Sequence, residues 1–145
     1  MKPFSIFLMP ILLIFFFACC TTVRAQTATN KIELGSFPVS VDAKMLMLDL
    51  QNELNASKQT LKNFVPSTRF VEKYNLQKIK GKYYISGFIQ TNNAFSEKKL
   101  RKIKVHPGQP SGGIRTVMIP LSAFTSFLNQ KGITYFELSK KLEVN

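Results

Sequence analysis

The chain has 145 residues, enough for one domain with accessory segments. Twenty lysines and arginines against eight aspartates and glutamates leave a net charge of +12, which suits an acidic partner surface, anionic lipid or nucleic acid, with a solvated basic face as the plain alternative. The two cysteines, Cys19 and Cys20, both fall within the first twenty residues, which excludes a disulfide scaffold and thiol chemistry from the rest of the chain.

Lys2 is followed by an apolar run over residues 4–18, interrupted by Ser5 and Pro10. A basic start and a short apolar stretch of this kind form an export signal, and the run is too short for a stable membrane span. Val23-Arg24-Ala25 is a small-x-small cleavage pattern ahead of Gln26, so residues 1–25 read as a signal peptide, with an uncleaved anchor as the alternative. Phe17-Ala18-Cys19 loosely resembles a bacterial lipoprotein box, which makes a lipid anchor through Cys19 a rival route. Cleavage after Ala25 removes Lys2, Arg24 and both cysteines, and 12 minus those two charges leaves +10. The expected location is secreted or periplasmic, which argues against nucleic acid and leaves the membrane to the signal or lipid anchor alone.

Residues 26–66 read as an N-terminal segment. Residues 26–30 are polar, and residues 31–39 carry Ile32, Leu34, Phe37 and Pro38 without a pattern that fixes their structure. Residues 42–61 have a helical period: Leu46, Leu50 and Leu54 recur at i, i+4 and i+8, widened by Met47 and Leu61, while Met45 and Leu48 extend the apolar surface further. Ser40 or Asp42 can cap this helix. It packs either on its own domain or on a partner.

Residues 67–145 read as an α+β domain. Phe64-Val65-Pro66 breaks the helix, and residues 70–80 are read partly as a strand that turns at Lys80-Gly81. Residues 83–91 form the clearest strand, with Tyr83, Ile85 and Ile89 on one face and Tyr84 and Phe88 on the other. Gly87 leaves a gap on the Ile85 face that a helix could fill. Ser96 can cap a short helix, with Phe95 and Leu100 at the staple positions, Leu100 and Ile103 inward and lysines outward. A brief strand at residues 103–106 leads into the Pro/Gly-rich loop 106–113.

Residues 114–119 again read as a strand. Pro120 then opens a helix whose Leu121, Phe124, Phe127 and Leu128 share a stripe. Gly132 suits the left-handed end of that helix, and residues 133–138 are strand-like before the tail SKKLEVN. The order β, α, β, β, α, β predicts a ferredoxin-like split βαβ sandwich, an antiparallel sheet with two helices on one face and an extra N-terminal helix. The other face then presents Tyr84, Phe88 and alternate residues of 114–119, either to a partner or beneath the long helix. No catalytic constellation is present. His106, the single histidine, reads as an ordinary loop residue, no Cys/His spacing suggests a metal, and neither enzyme activity nor a cofactor is expected.

The segments YYISGFI at residues 83–89, LRKIKV at 100–105, GIRTVMIPL at 113–121 and GITYFE at 132–137 resemble the propeptide, or inhibitor, domain of subtilisin-like serine proteases. With its export signal and extra helix the chain looks most like the version in secreted proteases of the Bacteroidetes group. The resemblance covers about residues 80–145, and Ile133 and Phe136 stand where the family prefers valines. It implies an inhibitor or folding chaperone of a subtilisin-like protease, acting in trans, or in cis if the chain is part of a longer precursor. Asn145 falls about where the family's catalytic domain would begin. The family's mechanism would dock the open sheet face, with Tyr84 and Phe88, on two helices of the protease. Leu142, Glu143, Val144 and Asn145 would lie in the substrate cleft by strand addition, with Leu142 as apolar anchor. Glu137, at the family's acidic position, would cap a helix N-terminus of the enzyme. The competing expectations are an extracytoplasmic binding or assembly module, or a relic of a protease precursor, without inhibitory activity.

Overall fold

The computed structural model describes residue 32 and residues 35–139. The expected signal peptide and the tail residues Leu142, Glu143, Val144 and Asn145 lie outside the described residues.

Helix α1, Val41–Ser57, begins where Ser40 Oγ accepts the Ala43 N–H at 3.2 Å. Of the two cap candidates it is therefore Ser40 that caps, with Asp42 inside the first turn. The helix ends four residues earlier than its apolar period suggests. Lys58 adopts a left-handed φ of 53°, and Leu61 packs against the core from the turn beyond. Ala43, Leu46, Met47, Leu50 and Leu54 form its buried stripe. Residues 70–80, read partly as a strand, divide in two: Phe70 and Val71 lie in helix α2, Thr68–Lys73, and the strand follows it. Ser67 Oγ accepts the Phe70 N–H at 3.2 Å and caps this helix. Strand content is confined to β1, Gln77–Ile79, after which Lys80 and Gly81 both take positive φ and turn the chain tightly into β2, Lys82–Thr91.

β2 is the centre of a five-stranded antiparallel sheet. β4, Ile114–Pro120, pairs along one of its edges from Gln90↔Ile114 to Tyr84↔Pro120. The two-residue β3, His106–Pro107, lies beyond β4. The other edge of β2 is shared. β1 pairs with Lys82–Tyr84, and β5, Ile133–Leu138, pairs with Gly87–Thr91. A register shift between Gln90 and Thr91 makes Thr134 an extra residue in β5, so that Ile133 and Phe136 both turn inward. Val39 bridges Phe136 in parallel and covers the outer edge of β5, where Ser40 N–H donates to the Phe136 carbonyl at 2.9 Å.

The helices pack on one side. α3, Glu97–Lys102, turns Leu100 inward, but Ser96 makes no side-chain cap hydrogen bond, contrary to expectation. After Pro120 a 3-10 turn, Leu121–Ala123, precedes α4, Phe124–Leu128. Ile85, Ile89, Val117, Ile119 and Phe136 from the sheet meet Leu46, Leu50, Leu100, Phe124 and Phe127 from the helices in one core. Phe127 is its aromatic hub, edge-on to Phe136 at 5.1 Å and to Phe37 at 5.7 Å. The gap at Gly87 is filled by the neighbouring strand rather than a helix. A Cβ there would stand 2.4 Å from the Glu137 carbonyl oxygen and 2.5 Å from Cε2 of Phe136. Gly132, with φ of 85°, stands beyond α4 instead of capping it, and a Cβ on it would meet the Phe95 amide at 2.2 Å.

Candidate functional site

The pleat divides β2 cleanly. Ile85, Gly87 and Ile89 are buried, while Tyr84, Ser86, Phe88 and Gln90 face outward. Cross-strand partners share a face, so the register adds Ile114, Thr116 and Met118 from β4 and Tyr135 and Glu137 from β5. α1 does not cover this face. Its apolar stripe is spent on the helix side, leaving Phe88 42% and Ile114 44% exposed.

Phe88, Ile89, Gln90, Ile114, Tyr135 and Glu137 line a shallow hollow of about 250 Å³. Glu137 is the carboxylate among these lining residues and stands directly opposite Phe88. Tyr84 lies at the other end of the face, its ring 6.5 Å from the His106 imidazole. The face is an apolar patch with an acidic margin, the kind of surface that packs against another.

Three of the sequence-predicted site residues, Tyr84, Phe88 and Glu137, are thus on one face. Tyr135 went unnoticed in the sequence. Counting back by two from Glu137 would have found it, since the bulge at Thr134 lies upstream of both.

A second hollow, about 260 Å³, lies between α1 and α2, where Asp49, Asn52, Glu53, Arg69, Phe70 and Lys73 meet. Both of its carboxylates are engaged. Asp49 accepts from Lys73 Nζ and from the Tyr74 hydroxyl, each at 2.6 Å, and Glu53 accepts from both the amide and the hydroxyl of Ser67. The bonds from Lys73 and then Tyr74 hold Asp49 below its ordinary carboxylate range. Burial, reinforced by Asp49, pushes the Tyr74 hydroxyl well above its ordinary value. This is a clasp between two helices. Among the described residues no group of three or more His, Cys, Asp or Glu side chains could hold a metal ion.

The basic outer side of α3 carries Lys98, Lys99, Arg101 and Lys102, with Arg101 bonded to Glu97 at 2.6 Å. Leu100 points into the core on the helix side of the sheet, so these cations lie away from the Phe88 face. No described helix is long and apolar enough to cross a membrane. No family model, no curated protein and no solved structure matches the chain.

Proposed function

We propose that the chain is a secreted, propeptide-like inhibitor or folding helper of a subtilisin-like serine protease. It docks through the open sheet face and lays Leu142, Glu143, Val144 and Asn145 in the substrate cleft. The observation that carries this reading is the uncovered face itself, with Tyr84, Phe88, Ile114 and Tyr135 presented together and Glu137 at the margin. Two further features support it. The succession β2, α3, β3, β4, α4, β5, with β2 between β4 and β5, accords with a ferredoxin-like split βαβ sandwich. β5 also delivers the chain to the tail directly from the strand that carries Glu137.

The test is inhibition. Residues 26–145 are mixed with a panel of subtilisin-like proteases and cleavage of a peptide substrate is followed. Slow, tight inhibition is expected. Removing residues 142–145 should abolish it, and replacing Phe88 and Ile114 with serine should weaken it by about 30-fold, the effect of losing one hot spot of about 2 kcal/mol. A chain that is simply digested, with no protease slowed, refutes the reading and leaves an extracytoplasmic binding module or a precursor relic.

A further inference from the structure

β5 ends at Leu138, and Ser139 N–H still donates to the Ser86 carbonyl at 3.0 Å. Two residues further in the same register the chain would stand opposite Tyr84. That place is taken, because Gln77 of β1 already pairs with Tyr84. β1 therefore closes this edge of β2 beyond Ser139.

The element beside the end of β5 is α1. Val39 runs parallel to β5 opposite Phe136, and the Leu138 N–H lies 3.4 Å from Ser40 Oγ at the helix cap. With Ala43, Leu46 and Met47 turned inward, α1 presents the other way Val41, Met45 and Leu48, which are 73%, 45% and 56% exposed. Their i, i+4, i+7 spacing makes one continuous stripe, about 10 Å long at 1.5 Å per residue. Six residues follow Ser139, reading KKLEVN, and in extended form they reach about 20 Å. Leu142 and Val144 alternate, so an extended tail turns both to the same side. The tail sequence carries Glu143, whose charge a helix N-terminus favours.

We infer that residues 140–145 dock on the Val41–Met45–Leu48 stripe of α1 in the free protein, with Leu142 and Val144 as the apolar contacts. The tail is thereby parked until a partner takes it. The parking site does not depend on the protease reading; its consequence for inhibition does.

The methyl groups of the methionines report the docking. In residues 26–145 the methionines are Met45 on the stripe, Met47 in the core and Met118 on the sheet face. Deleting residues 140–145, or the pair Leu142→Asp and Val144→Asp, should shift the Met45 methyl resonance and leave Met118 unmoved. A nitroxide on Asn145→Cys should broaden Met45 and spare Met118. Val41→Ser with Met45→Ser, both at exposed positions, should then leave the fold intact and speed the onset of inhibition. A Met45 methyl indifferent to the deletion and to the label overturns the inference. So does equal broadening of Met118, or a Met45 shift that appears only with rising protein concentration, which would assign the stripe to a second copy. Docking seen by the label without any protease inhibition would refute the protease reading and leave the parked tail standing.

Discussion

Replacing Gly87 with alanine tests whether the close approach of β5 to β2 is real. In an ordinary strand interior this change stabilises, because glycine costs roughly 0.5–1 kcal/mol relative to alanine through its greater freedom in the unfolded chain. Here the new methyl would stand 2.4 Å from the Glu137 carbonyl oxygen and 2.5 Å from the Phe136 ring. The first obstacle is backbone, which cannot rotate away. The second ring is fully buried, held by Phe124 at 6.4 Å and Phe127 at 5.1 Å, so neither neighbour has an inexpensive escape. Overpacking of this kind costs about 1–3 kcal/mol, which outweighs the entropic gain and reverses the sign. Urea unfolding followed by circular dichroism should show a lower midpoint at unchanged slope. A G87A chain as stable as the parent, or more stable, would refute the packing argument, and with it the position of Glu137 opposite Phe88.

Ser40→Ala removes the acceptor for the Ala43 amide at 3.2 Å and should cost about 1 kcal/mol in the same unfolding assay, within the 0.5–2 kcal/mol seen for such caps. Leu50→Ala empties a fully buried place in the α1 stripe, and a loss of about 2–5 kcal/mol is expected; a loss below 1 kcal/mol would mean that α1 is not part of the core. Asp49 has its pKa lowered from an ordinary 3.8 by Lys73 and Tyr74, so its contribution is present above that value and fades as pH falls through the lowered one. The stability gap between the parent and Asp49→Asn should therefore hold steady from about pH 7 to pH 5 and narrow below about pH 4. A gap independent of pH down to pH 2 would show that the charge of Asp49 plays no part.

The basic surface illustrates a limit of composition. A charge of +12 names a sign of partner but no place. Folding sorts the charges, with the lysines of α3 outward on the helix side and the apolar residues of the sheet gathered on the opposite face. Patterning within one element predicted both halves, because Leu100 and Ile103 recur at helical spacing and Tyr84 and Phe88 at strand spacing. The helix at residues 68–73, just before the strand of this region, has a local cause too. Phe70, Val71 and Tyr74 favour strands, yet their i and i+4 spacing lets the rings of Phe70 and Tyr74 meet, tilted at 55° with centroids 4.8 Å apart, on one side of a short capped helix.

What the sequence by itself determined was the run of elements from Tyr83 onward, the two faces of β2 and the buried stripe of α1. All of these are periodicities within a few residues, and burial enforces them locally. What the tertiary structure alone decided was which strand lies against which. β1 and β5 divide one edge of β2, Val39 seals the outer edge of β5, and the Phe136 ring occupies the space at Gly87. No spacing in the chain encodes those choices. They arise when distant segments compete for the same backbone hydrogen bonds and the same core volume, and that competition is settled only in the folded molecule.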